Sequence, residues 1–232
     1  MSTVFNFTFV PWFRSVAPYI HMHRGKTFVV GVVGEAIAAG KLAAIATDLA
    51  LIQSMGVRIV LVHGFRPQVN EQLHAKGHEP RYSHGMRITD EVALDCAQEA
   101  AGQLRYEIEA AFSQGLPNTP MAGSKVRVIS GNFLTARPMG IIDGVDFRHT
   151  GVVRKVDATG IRHSLDSGAM VLISPFGFSP TGEAFNLRME EVATSVAIAL
   201  QADKLLFLTE VPGVRIRPEE PASDDNPIDT EI

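Results

Sequence analysis

The chain has 232 residues, 46% of them apolar and 20% charged, and its 21 Lys and Arg against 25 Asp and Glu leave a formal net charge of −4. That balance excludes a disordered or collagen-like chain, and it offers no basic surplus with which to displace counterions from nucleic acid. The one cysteine, Cys96, excludes an internal disulfide and fits a reducing, cytoplasmic setting.

The stretch from Met1 to Phe13 is apolar but carries no Lys or Arg before Arg14, is interrupted by Pro11 and lacks a small-residue cleavage site, so it does not read as a signal peptide. No apolar run reaches the roughly eighteen residues of a membrane span. Pro11 to His21 is expected to form a short amphipathic helix, with Trp12, Val16 and Tyr19 or Ile20 on one side and Arg14 and Ser15 turned away. Such a helix packs on its own domain or on a neighbouring subunit.

Lys26 to Val33 is a β-branched run ending at Gly34, the pattern of a strand buried on both faces. Ala36 to Met55 places Leu42, Ile45, Leu49 and Ile52 on one helical face, closed by Gly56. A second buried strand, Val57 to Val62, leads through His63 and Gly64 into a helix from Pro67 to Lys76 that Gly77 ends. This strand–helix–strand–helix order predicts a parallel sheet with crossover helices. Thr89 is the expected N-cap of a helix running through Leu94, Ala97, Ala101, Leu104, Ile108 and Phe112, with Asp90 and Glu91 in its first turn. Strands are expected at 125–130, 133–136, 169–174 and 204–208, a β-excursion after Gly140, and a helix from Leu187 to Gln201. Beyond Arg215, three prolines and four acids within Arg215–Pro227 disfavour regular structure.

Most short motifs fail on physical grounds. Gly25-Lys26-Thr27 lacks the glycine a phosphate loop needs at position 20, where Ile20 stands, and its strand follows rather than precedes it. His74 and His78 have helical metal-ligand spacing, but Gly77 interrupts the helix and no Glu follows His74, so they read as a solvated pair. His21 and His23 have no acidic or sulfur neighbour. Cys96, without basic neighbours, reads as a core thiol. Gly177 to Thr181 lacks the second glycine of a nucleophile elbow. The glycines after the first two strands are more informative, because ligands of open α/β sheets sit beyond the carboxyl ends of strands, where helix N-termini present free N–H groups. Gly34 and Gly64 either serve such a site or only make tight turns. Arg87 and Asn186, flanking apolar segments, supply the fork and amide that a small dicarboxylate needs, with surface or capping roles equally open.

Several segments together resemble the bacterial N-acetylglutamate synthase family. They are Arg14-Ser-Val-Ala-Pro-Tyr-Ile20, His23-Arg-Gly-Lys-Thr-Phe28, Gly34-Glu-Ala-Ile37, Arg66-Pro-Gln68, Arg87-Ile-Thr-Asp90, Ser130-Gly-Asn-Phe133, Leu165-Asp-Ser-Gly-Ala169 and Thr181-Gly-Glu-Ala-Phe-Asn-Leu187, colinear from about Phe13 to Gly213. The resemblance implies an α/β fold of the amino-acid-kinase type, a three-layer αβα sandwich around a mainly parallel sheet, incomplete at the C-terminus. Its parts are an N-terminal helical segment over 1–23, a kinase-like domain over 24–214, and residues 215–232 as a frayed tail or the start of a truncated part. The family's acetyltransferase domain, which takes acetyl-CoA as co-substrate and acetylates L-glutamate in the first step of arginine biosynthesis, is expected to be absent. No cofactor or metal and no catalytic residue is therefore expected in this chain.

The resemblance also assigns residues. Related kinases that phosphorylate N-acetylglutamate carry a lysine and two glycines at the first strand and turn. Here Gly31 stands at the lysine position and Val33 at the first glycine, and only Gly34 remains. At the second turn the glycine pair becomes Gly64 and Phe65, and Glu190 falls near a kinase aspartate. Phosphoryl transfer relies on cations and N–H donors aimed at phosphate oxygens, so these replacements argue against kinase activity. Gly64, Arg87 and Asn186 correspond to the carboxylate-binding set, and Tyr19 to the segment through which L-arginine acts as an allosteric effector. A homo-oligomer assembled through the N-terminal helix is implied, with no nucleic-acid or membrane partner. The alternatives are a working N-acetylglutamate kinase and a non-catalytic arginine-binding or assembly module.

Overall fold

The computed structural model describes residues 9–114, 125–210, 214–215 and 228–229. Seven helices are seen among them: α1 Phe9–His23, α2 Gly34–Ala38, α3 Leu42–Ser54, α4 Arg66–Ala75, α5 Glu91–Ser113, α6 Ala158–Asp166 and α7 Met189–Leu200. The strands are β1 Thr27–Val32, β2 Arg58–His63, β3 Tyr82–Ser83, β4 Met86–Arg87, β5 Val128–Ser130, β6 Leu134–Pro138, β7 Ile141–Ile142, β8 Val145–Asp146, β9 Gly151–Val156, β10 Met170–Ile173, β11 Phe176–Phe178, β12 Ala184–Asn186, β13 Lys204–Leu208, β14 Val214–Arg215 and β15 Ile228–Asp229.

Five strands form a parallel sheet in the order β13-β1-β2-β10-β5. Because successive side chains of a strand point to opposite faces, each central strand feeds two cores at once. Val30, Val32, Ile59, Leu61, Met170 and Leu172 join the buried faces of α3, α4 and α5. Val29, Val60, Val62, Val171 and Ile173 meet α6, α7 and the smaller mixed sheet β12-β11-β6-β9. The expected three-layer αβα arrangement is therefore present. Cys96, on the buried face of α5, is fully enclosed, as expected of a core thiol.

The structure departs from the expected elements in four places. The single helix expected over 36–55 is two, α2 and α3, because Gly40 adopts φ +73 and turns the chain between them. Asp90, not Thr89, caps α5: its Oδ1 accepts from the Ala93 N–H at 3.0 Å, an interaction commonly worth ~1 kcal/mol. Beyond Arg215, where no regular structure was expected, Ile228–Asp229 pairs antiparallel with Val214–Arg215. Finally, α1 is longer than expected and carries Pro18 within it, yet Trp12 and Tyr19 are 58% and 63% exposed, so this face is not buried on the described domain. The β-excursion expected after Gly140 is present as the β7–β8 hairpin and β9, whereas the β3–β4 hairpin, β11, β12 and α6 had no counterpart in the sequence reading.

Candidate functional site

A cavity of about 310 Å³ opens beyond the carboxyl ends of β1, β2, β10 and β13. This is the edge at which open α/β sheets present their helix N-termini, and the size is at the lower end of the roughly 300–1,000 Å³ typical of small-molecule sites. Gly34, Gly64, Phe65, Arg87, Asn186 and Glu190 all line it, so six of the residues singled out in the sequence converge on one pocket. Tyr19 lies elsewhere, on the exposed side of α1. Gly31 lies beneath the cavity rather than in its wall.

The anionic-ligand end is built from α4 and the β3–β4 hairpin. The Arg66 and Arg87 guanidinium carbons stand 4.6 Å and 5.0 Å from the centroid of the Tyr82 ring, so one aromatic face system serves two cations. Arg87 is 7% exposed; its Nη2 donates to Asn70 Oδ1 at 2.7 Å and to the Arg66 carbonyl at 3.3 Å, while the Tyr82 hydroxyl donates to the same Asn70 oxygen at 2.8 Å. Among the described residues the buried Nη1 has no hydrogen-bond partner. Burial, with the neighbouring Arg66 charge, pushes the Arg87 guanidinium below its usual pKa. Among the described residues neither Arg66 nor Arg87 is ion-paired with a carboxylate. Two close guanidinium groups without a carboxylate partner raise the positive potential at this end of the cavity.

Asn186 is held by a directed hydrogen-bond chain. The Thr150 hydroxyl donates to the Arg87 carbonyl at 2.5 Å, and a carbonyl can only accept. With that proton committed, the 2.8 Å contact between Thr89 and Thr150 has Thr89 as donor. Thr89 Oγ1 is then an acceptor towards Asn186, which fixes Asn186 Nδ2 as the donor at 3.0 Å. The amide is locked, and among the described residues no protein donor reaches Asn186 Oδ1.

At the end of β1 the packing is tight. A Cβ built on Gly31 would stand 2.7 Å from Phe207 Cδ1 and 2.8 Å from Met189 Sδ, distances real Cβ atoms do not adopt, so no side chain starts from this point without displacement. The parallel register pairs Gly31 with Phe207, which brings that ring directly over it. At the two turns, a Cβ on Gly34 would lie 2.8 Å from Pro67 and one on Gly64 2.8 Å from the Gly34 nitrogen. The glycines permit the two turns to pack closely on each other, and Gln68 Nε2 donates to the Gly34 carbonyl at 3.1 Å. Phe65 is turned into the core. Beside these turns lies His63, fully buried, with its pKa lowered to about 4 by burial, which outweighs the opposing bond to Gly64. The Gly64 carbonyl can only accept, so His63 Nδ1 carries the proton and Nε2 accepts from Ser174 Oγ at 2.8 Å.

Arg66, Asn70, Tyr82, Thr89 and Thr150 did not emerge as site residues from the sequence. The Thr89 partners lie 61 and 97 residues away along the chain, and no local pattern links them. For Arg66 a signal existed, a cation at the N-terminus of a helix that follows a strand-end glycine.

Comparison with known proteins gives three concordant findings. Residues 26–230 match the model of the amino acid kinase family. The chain is 60% identical over 209 residues to an amino-acid acetyltransferase of Ralstonia nicotianae, covering 90% of this chain and 46% of that protein, and 52% identical over 206 residues to one of Pseudomonas fluorescens, covering 89% and 48%. In structure it resembles N-acetylglutamate synthase from Neisseria gonorrhoeae complexed with coenzyme A and L-arginine, with a TM-score of 0.84, 42% identity, and coverage of 93% of this chain and 50% of that one. A carbamate kinase from Giardia, 17% identical with a TM-score of 0.58, shares the fold. The chain thus spans about half the length of the curated relatives it matches.

Proposed function

The chain belongs to the amino acid kinase family, and from that premise we propose that it is the kinase-like, regulatory part of an N-acetylglutamate synthase, with a carboxylate-binding pocket and no phosphoryl-transfer activity. The observation that carries this reading is the filled space over Gly31: Phe207 and Met189 occupy the volume where a lysine side chain would have to start. Without that cation, the transferred phosphoryl group has nothing at the end of β1 to offset its charge, and each such group commonly contributes roughly a hundredfold or more in rate. The kinase reading finds no support in this geometry.

Arg87, Asn186 and the Gly64 turn bind the carboxylate ligand; Gly34, Phe65 and Glu190 are remnants of phosphate turns. L-Arginine acts as allosteric effector through the segment that carries Tyr19. Acetyl-CoA and L-glutamate are substrates of the longer synthase, acting in the cytoplasm as a homo-oligomer. The apolar and aromatic face of α1, exposed at Val10, Trp12, Tyr19 and Met22, supports assembly through that helix. No described helix is long and apolar enough to cross a membrane.

The test is a paired assay of the 232-residue polypeptide. Incubated with magnesium-ATP, N-acetyl-L-glutamate and hydroxylamine it is expected to give no hydroxamate, and with acetyl-CoA and L-glutamate no N-acetylglutamate. Hydroxamate formation would establish the kinase instead, and acetyl transfer would place a catalytic site in this polypeptide.

A further inference from the structure

Asn186 ends β12 with its backbone fixed. Its N–H donates to the His149 carbonyl at 2.9 Å, it pairs with Phe176 in the antiparallel β11–β12 register, and it bridges Thr150. What the backbone leaves open is the rotation of the side-chain amide, a broad, roughly two-fold torsion that can turn either the oxygen or the nitrogen to the cavity. Thr89 makes that choice. It is fully buried, stands 97 residues away along the chain and forms no part of the cavity wall. Its own backbone is pinned as well, because its carbonyl accepts from the His149 N–H at 2.9 Å.

The proton order runs one way only. Thr150 donates to the Arg87 carbonyl, Thr89 donates to Thr150, and the Thr89 oxygen is left to Asn186 as an acceptor. Turning the Asn186 amide by half a turn would set its oxygen against that of Thr89, two acceptors with no hydrogen between them, and would forfeit a buried hydrogen bond. Held as it is, Asn186 Oδ1 meets no donor among the described residues. Unlike the enclosed Arg87 Nη1, it keeps accessible surface, and Asn186 lines the cavity.

We propose that Thr89 is a positioning residue: acting only through Asn186, it sets the amide oxygen towards the cavity and so makes the pocket select a ligand that brings an N–H donor to that point. The proposal rests on the carboxylate-pocket reading above and concerns the part of the ligand that faces Asn186 rather than its carboxylates. A ligand with an oxygen in place of the N–H brings a lone pair against Oδ1, and the amide cannot turn away without losing Thr89. Thr150 shares the relay but reaches the cavity itself. Thr89 is therefore the member whose substitution separates positioning from contact.

Calorimetric titration of the 232-residue chain with two isosteric probes tests this. N-Acetyl-L-glutamate carries an amide N–H where the O-acetyl ester of L-2-hydroxyglutarate carries an ester oxygen. The unaltered chain is expected to bind the amide at least tenfold more tightly than the ester, because a site built around a hydrogen bond rejects the analogue that cannot make it. Thr89→Val keeps the side-chain shape and removes the hydroxyl, so the Asn186 amide is free to turn and the ratio is expected to fall below threefold. Thr89→Ala, used where Thr89→Val does not fold, carries the same expectation, and Thr89→Ser is expected to restore the tenfold ratio. Loss of affinity for both probes by one factor, with the ratio unchanged, would give Thr89 a purely structural role and overturn the proposal. Equal binding of the two probes by the unaltered chain would overturn it and leave the carboxylate pocket standing. If neither probe binds to the folded chain, both readings fall.

Discussion

At His63 a single imidazole joins the second strand to the turn that follows it. The ring is fully enclosed, donates to the Gly64 carbonyl and accepts from Ser174, and neither bond favours a second proton enough to offset burial. The folded-state pKa of about 4 lies below the ordinary 6.5 of the unfolded chain. In the interval between, the unfolded state binds the extra proton, so stability rises with pH. The contribution is complete above about pH 6.5 and is lost progressively as pH falls towards 4, up to about 3 kcal/mol. The melting temperature is expected to fall across that window by more in the native chain than in His63→Gln, and equal slopes would show that the ring is not the titrating group. His63 and Gly64 were noticeable in the sequence as the end of an apolar strand, but the bond to Ser174, 111 residues away, was not. Arg87 and Asn186 were likewise visible as polar residues at the edges of apolar segments. Their environment was not, because the Thr89–Thr150 chain and the shared Tyr82 ring come from segments brought together only by folding.

Among elements, β1 and α7 carry most of the functional argument. Gly31 allows α7 to approach the strand closely enough for the Met189 sulfur to reach it, and the register with β13 adds the Phe207 ring. Gly31→Ala forces one of these groups aside, and overpacking of this kind typically costs 1–3 kcal/mol. The expected result is a lowered melting temperature without any gain of phosphoryl transfer; an unchanged one would mean that the space over β1 is softer than its distances imply. The parallel strands and long helices were legible because apolar runs and three-four spacing survive any tertiary context. The β3–β4 hairpin was not. The β3–β4 pair has two residues per strand and depends on His84 and Gly85 at positive φ, a local cue too weak to separate from an ordinary loop. The break between α2 and α3 was lost for a related reason: the apolar spacing on either side of Gly40 continues as though the helix did.

For the molecule as a whole, the three-layer architecture and its family were both legible, the first from the alternation of strands and helices and the second from segments spread over the whole sheet. The fold places Arg66 beyond β2, Glu35 beyond β1 and Glu210 beyond β13, with Arg188 and Glu190 at the start of α7 lining the same cavity. The curated relatives extend to about twice this length. The claim on which this account depends is that the end of β1, where Gly31 packs against Phe207 and Met189, offers no cation to a nucleotide's phosphates. Titration of the 232-residue chain with a non-hydrolysable magnesium-ATP analogue tests it most directly. The account predicts no saturable heat at millimolar analogue, whereas saturation at one site would contradict it.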